Sequence, residues 1–300
     1  MEQTNQIQNI ETKTSWYDKN YKLMLIIPLI ILIICIIYLG IFFSQHNDFI
    51  LRDVSLSGGT TITINGDVPD NFEQELKSKF SDINFRRLTD ITTGKTMAFF
   101  VQSSASSEDL QQSIESLLGY KLTEENSSTE FSGPTLSQNF YKQLITALII
   151  SFILMSIVVF IIFKSFVPGI AVIFSAFSDI IMPLALIDFL GIKLSAAGIA
   201  AFLMLVGYSV DTDILLTTRA LKKKEGTLNE RIYGAFKTGI TMTLTSLLAV
   251  IPVFFLITGL PDSFRQIFLI IALGLSADII NTWLTNASII KLYCEKKGIR

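Results

Sequence analysis

Residues 143–163, QLITALIISFILMSIVVFIIF, and residues 166–187, FVPGIAVIFSAFSDIIMPLALI, decide the fold. The first run is uncharged and the second carries one charge, Asp179. A bilayer's hydrocarbon core is about 30 Å thick and a helix rises about 1.5 Å per residue, so about 20 apolar residues cross it. Both runs meet that length. Outward from them, four more stretches qualify: 23–43 and 238–260 without a charge, 194–218 carrying Asp211 and Asp213, and 266–290 carrying Asp278. The expectation is six transmembrane helices, one near the N-terminus and five packed together over 142–290.

Composition agrees. Half the chain is hydrophobic and 17% is charged, against about 25% charged in soluble domains. That deficit excludes a typical soluble enzyme and a disordered tail. A nucleic-acid binder needs a basic excess, whereas 24 Lys and Arg against 26 Asp and Glu leave a net charge of −2. Two cysteines and one histidine exclude a disulfide framework and argue against a zinc site. No cofactor motif is found. The run 23–43 exceeds the apolar core of a signal peptide and is followed by no small-residue cleavage site, so it reads as an uncleaved first span.

Short loops rich in Lys and Arg stay cytoplasmic. The connection 219–237 holds Arg219, Lys222, Lys223, Lys224, Arg231 and Lys237, and the tail 291–300 adds Lys291, Lys296, Lys297 and Arg300. Loops of opposite parity carry only Lys193 and Arg265. The segment 1–22 and the tail are therefore expected inside the cell membrane, and residues 44–141 outside it.

The outer segment reads as a small α+β domain. Residues 56–64 form a β-branched strand after Gly58 and Gly59. Asp70 and Glu73 have capping-box spacing for a helix to about Phe80, and Ser106 and Asp109 open a second helix to Leu118. Residues 84–89 and 96–102 form a hairpin about Thr93-Gly94-Lys95, and 127–131 a closing strand. The order β-α-β-β-α-β predicts a ferredoxin-like domain. Gly94-Lys95-Thr96 lacks the glycine and the strand-to-helix context of a phosphate loop, and reads as a hairpin turn.

An Asp near the centre of a span costs about 2.5–3.5 kcal/mol on insertion scales, which makes each intramembrane carboxylate a functional candidate. Asp179 lies about 18 Å into its span, near mid-membrane, and Asp278 at similar depth. Asp211 and Asp213 sit nearer the cytoplasmic end, about 200° apart around one helix, so they occupy different faces. Lys237 opens the fifth span at a depth suited to pair with one of them. The plainer alternative is that these groups form hydrogen bonds that fix helix packing. Asp211, after Gly207-Tyr208-Ser209, is the favoured coupling residue. Asp213, near the interface, fits the packing role at least as well. Gly198, Ala200, Ala201, Gly274 and Ala277 predict close packing of the fourth and sixth spans.

The stretch Gly207-Tyr208-Ser209-Val210-Asp211-Thr212-Asp213 and the domain opening at Gly58-Gly59-Thr60 resemble the SecD/SecF family of protein-export membrane proteins, in its archaeal SecF type. The resemblance spans nearly the whole chain. It implies membership of the resistance–nodulation–division superfamily, whose members couple an ion gradient to movement of an external domain. It also implies a partner half, SecD, the SecY channel, an exported unfolded polypeptide as client, a lipid bilayer around the spans, and no enzymatic activity. Bacterial members carry their coupling Asp where this chain has Thr212, flanked by Asp211 and Asp213, and an Arg where it has Lys237. Two other readings stand beside this one: half of a small-molecule or lipid exporter of the same superfamily, and an intramembrane aspartyl protease, whose Gly-x-Gly-Asp pattern is not met before Asp211.

The orientation is testable with single cysteines and an impermeant thiol reagent on intact cells. Positions within 124–130 should react and positions within 222–225 should not. The reverse pattern would invert the topology.

Overall fold

The computed structural model describes residues 16–90, 93–222, 225–256 and 262–299. The helix α1 (Trp16–His46) enters the bundle, and after the segment 47–133 follow α5 (Pro134–Phe163), α6 (Phe166–Phe189), α7 (Ala196–Lys222) and α8 (Leu228–Leu256). The last crossing is α9 (Asp262–Ile280), a π-helical turn (Asn281–Asn286) and α10 (Ala287–Lys296) in one continuous rod. Six of these rods are long and apolar enough to cross a membrane, so the chain is a multi-pass membrane protein. Residues 1–15 of the expected cytoplasmic segment, Lys223 and Lys224 of the basic connection, and residues 257–260 of the fifth expected span lie outside the described residues.

Burial sorts the helices. About half or more of α6, α7 and the last crossing is buried, whereas α5 and α8 present mostly exposed apolar side chains such as Ile153, Leu154 and Leu248. Such surface suits lipid, and the polar interior therefore belongs to α6, α7 and α9. The predicted small residues bring α7 and α9 together. A Cβ on Gly274 would overlap the Leu205 side chain, and one on Gly198 would lie 2.7 Å from Gln266 Oε1 and 3.0 Å from Ile270.

Between α1 and α5 the chain forms α2 (Val54–Ser57), β1 (Gly59–Asn65), α3 (Phe72–Lys79), β2 (Asn84–Thr89), β3 (Thr96–Ser103), α4 (Ser107–Leu118) and β4 (Ser127–Ser132). The strands make one antiparallel sheet in the order β2-β3-β1-β4. Alternation along the strands divides its faces. Ile62, Ile64, Phe99 and Val101 pack beneath Phe72, Leu76, Leu110 and Ile114 of the two helices. The opposite face, with Thr61, Thr63, Phe100 and Gln102, looks onto Leu136 and Phe140 of α5 across a cavity of about 470 Å³. Ser106 caps α4 as expected, accepting from Asp109 N at 3.2 Å and donating to its carboxylate at 2.7 Å. Gly94, at φ 68°, turns the hairpin between β2 and β3.

Two expectations fail locally. Residues 56 and 57, expected to open the first strand, instead end the short helix Val54–Ser57, because Asp53 caps it through Val54 N and the chain reverses at Gly58 and Gly59. The capping box at Asp70 does not form: α3 begins after Asn71, whose amide instead donates to Glu75 Oε1 at 2.5 Å.

The same stretch joins domain to bundle. Leu194 N donates to Leu51 O at 2.6 Å and Asp53 N to Leu194 O at 2.9 Å, while Ala196 N, at the start of α7, donates to Ser55 Oγ at 3.1 Å. Burial pushes the Asp53 carboxyl above its ordinary range, opposed by its hydrogen bond from Val54 and by the charges of Arg86 and Lys193. Gly58 and Gly59 hold φ of 87° and 138°. A Cβ on Gly58 would come within 2.5 Å of Pro134 Cα, and one on Gly59 would overlap Ser103 O. The entering and leaving chains thus cross in contact, which only glycine permits. Gly58→Ala and Gly59→Ala should each cost about 3 kcal/mol, read as a lowered thermal midpoint of the purified full chain. Gly66→Ala, at φ 97° but with open space around its Cβ, should cost less. Equal losses at all three positions would show that the chain crossing contributes nothing.

Candidate functional site

Three of the predicted carboxylates meet inside the bundle. Asp179 of α6, Asp213 of α7 and Asp278 of α9 are fully buried. Asp179 accepts from Ser209 Oγ through Oδ2 and from Asn281 Nδ2 through Oδ1 at 2.7 Å. Asp278 Oδ1 lies 2.8 Å from Thr212 Oγ1 and 2.9 Å from Thr282 Oγ1, with Thr243 of α8 at 3.4 Å from Oδ2. Asp213 Oδ1 takes Thr282 Oγ1 at 2.9 Å and Asn286 Nδ2 at 2.7 Å. Four helical rods thus share one polar centre in an apolar medium.

The π-turn builds half of it. Asn281, Thr282 and Asn286 all lie within it, and its widened winding presents the first two and the last to the same carboxylate layer. Such turns occur mostly as isolated insertions in α-helices, often at functional sites. These residues, with Thr243, are absent from the sequence expectation. Their signal was nonetheless present: Asn281, Thr282, Thr285 and Asn286 are a polar run inside an otherwise apolar span.

Hydrogen counting constrains the network. Thr282 has one hydroxyl hydrogen, yet its oxygen lies within bonding distance of both Asp213 and Asp278. It can donate to one of them. The other contact is a hydrogen bond only if that carboxyl supplies the hydrogen. Thr212 is placed likewise, 3.0 Å from Ser209 O and 2.8 Å from Asp278 Oδ1. For Thr282 two arrangements satisfy both contacts: either Asp278 or Asp213 carries a hydrogen and donates it to Thr282, which donates to the other carboxylate. Carboxyls linked through shared hydroxyls can pass a proton among themselves with small motions.

The remaining candidates lie apart from this centre. Asp211 and Lys237 are exposed on the flanks of α7 and α8, and no ion pair joins them among the described residues. Gly207 and Tyr208 share that outward side of α7, whereas Ser209 points in. Gly58 and Gly59 form the chain crossing, and buried Thr60 donates to Ala105 O at 2.8 Å. Among the described residues no group of three or more His, Cys, Asp or Glu side chains suited to a metal ion occurs.

Comparison with known proteins decides the family. Residues 112–296 match the family described as protein export membrane protein SecD/SecF, C-terminal. Over 279 residues the chain is 36% identical to the protein-export membrane protein SecF of Pyrococcus furiosus, covering 92% of each. The chain belongs to the SecF family. The SecF of Methanocaldococcus jannaschii is 38% identical over 283 residues, covering 92% of this chain and 96% of that one. Among solved structures, the crystal structure of SecDF, a translocon-associated membrane protein from Thermus thermophilus, superposes with a TM-score of 0.72 over 92% of this chain at 17% identity. This SecF chain spans 38% of that longer chain.

The shared hydroxyl of Thr282 is the cheapest point at which to break the network. Thr282→Val keeps the shape and leaves buried carboxyl oxygens unanswered, so it should lower stability by about 1–3 kcal/mol. Thr241→Val, on the exposed side of α8, should be close to neutral. Unchanged thermal unfolding of the Thr282 variant would show that its two contacts carry no energy.

Proposed function

We propose that this SecF chain is the auxiliary subunit of Sec protein export in which the buried carboxylate centre couples an ion gradient to movement of the external domain. Family membership supports the export role, with relatives named for it covering nearly the whole chain. The observation that supports coupling is the centre itself: three carboxylates from three helices, two of which, Asp213 and Asp278, share the single hydroxyl hydrogen of Thr282. Uptake or loss of one cation there changes the charge inside the bundle and so biases one helix packing over another.

The external segment 44–141 is read as a ferredoxin-like domain on the outer side of the cell membrane, with both termini cytoplasmic. The antiparallel order β2-β3-β1-β4 with two helices on one face supports the first part. The loop charges support the second. The relatives named SecF are matched over 92% and 96% of their own length, which supports a separate SecD partner; we assign it to the exposed side of α7 and α8 that carries Tyr208, Asp211 and Lys237. The SecY channel and an emerging unfolded polypeptide complete the assembly. No enzymatic step is assigned.

Gradient-dependent export in vesicles holding this protein and its SecD partner tests the proposal. Asp213→Asn and Asp278→Asn keep shape and hydrogen bonding but cannot carry the charge. Each should assemble normally and lose about 10-fold or more of the gradient-driven component, the effect of removing about 1.4 kcal/mol of coupling. Asp211→Asn should act through the partner interface, weakening co-purification with SecD. Wild-type export by both interior variants would reduce the centre to a packing device.

A further inference from the structure

The sequence holds two Asn-x-Ser triplets, the acceptor pattern for a glycan on an asparagine amide: Asn126-Ser127-Ser128 and Asn286-Ala287-Ser288. The fold separates them. Asn286, Ala287 and Ser288 are buried in the bundle, and the Asn286 amide donates to Asp213, so that triplet is closed to an enzyme. Asn126 instead ends the turn that leads into β4, where Thr123, Glu124, Glu125, Ser128 and Thr129 are all exposed. The turn is pinned to the end of β1, because Asn65 N donates to Asn126 O at 2.9 Å. β1 runs from Gly59 to Asn65, about 20 Å at the rise of a strand. Asn126 therefore stands at the end of the sheet remote from the chain crossing at Gly58 and Gly59.

The Asn126 side chain is held but not used up. Its Oδ1 accepts from Thr123 N at 2.7 Å and its Nδ2 donates to Lys121 O at 3.1 Å. An amide nitrogen carries two hydrogens, and the bond to Lys121 O takes one. The other can be exchanged for a sugar while both bonds are kept. We infer that Asn126 is an N-glycosylation site that carries an oligosaccharide at the far end of the sheet. The inference rests on the external placement of this segment proposed above. In the transfer, Nδ2 bonds to the anomeric carbon of a sugar carried on a lipid phosphate. The bond from that carbon to the phosphate oxygen breaks, the lipid phosphate leaves with the bonding electrons, and one Nδ2 proton passes to a base of the transferase. The product is bulky and solvated. It sits at the start of β4, an edge strand whose one charged residue is Glu130, and so covers one end of an edge otherwise open to pairing.

The test is intact-mass and glycopeptide mass spectrometry of the full-length protein purified from the membranes of its own cells. The wild-type mass should exceed the 33.5 kDa of the bare chain by whole sugar units, and the added mass should map to Asn126. Asn126→Gln and Ser128→Ala should each lose it entirely. Ser128→Thr, which keeps the hydroxyl of the triplet, and Ser127→Ala, which leaves the triplet intact, should retain it. A bare mass for the wild type, or added sugar that persists in Asn126→Gln, overturns the site. An impermeant thiol label on Glu124→Cys separates the two readings. If that cysteine is labelled on intact cells and the wild type carries no glycan, the orientation stands and the site is wrong. If it is labelled only after the cells are opened and no glycan is found, the orientation and the site fall together.

Discussion

A carboxylate in the hydrocarbon layer survives only when its oxygens are answered by donors or a cation, and this requirement organises the bundle. Asp179, Asp213 and Asp278 sit on three helices, and the groups that answer them come from α7, α8 and the π-turn of the last crossing. No single helix can satisfy its own charge, so the helices must pack together around the polar centre. Apolar packing against lipid contributes little preference for one helix partner over another. The polar layer supplies that preference, and the small residues at Gly198 and Gly274 let α7 and α9 approach closely enough to close it.

The same helix reaches the α/β segment between α1 and α5. α7 carries Ser209, Thr212 and Asp213 on its buried side, and its start is gripped from two sides. Ser55 of that segment accepts from Ala196 N, and Gln266 of α9 accepts from both Ser195 N and Ser195 Oγ at 2.9 and 2.8 Å. One residue earlier, Leu194 exchanges two backbone hydrogen bonds with residues 51 and 53. In the proposed coupling, a displacement of α7 is delivered through these backbone contacts to the chain entering β1, across the crossing at Gly58 and Gly59. The glycines make this joint compact.

Much of this was legible in the residues. The six spans were readable because the bilayer imposes a length that few soluble segments reach, and the strands and helices of the outer segment because alternation and the Ser106 cap are local signals. The helix at 54–57 was not, because it depends on Asp53 capping and on a chain crossing with Pro134 that no local pattern records. Helical geometry correctly separated Asp211 from Asp213 but could not say which face points inward. That is fixed by α6 and α9, and only the polar run at Asn281, Thr282 and Asn286 marks the side they share. The π-turn itself has no simple sequence signature, so the residues that complete the centre were passed over.

The central claim is that the buried carboxyls hold a shared hydrogen that moves when the site is loaded. Infrared difference spectroscopy of the full-length protein, recorded on a step in pH, reads this directly. A carboxylic acid C=O band should be present at neutral pH and be lost or shifted in Asp278→Asn. The same acid band persisting unchanged in Asp278→Asn, or no acid band in the wild type, would contradict a shared hydrogen at this centre.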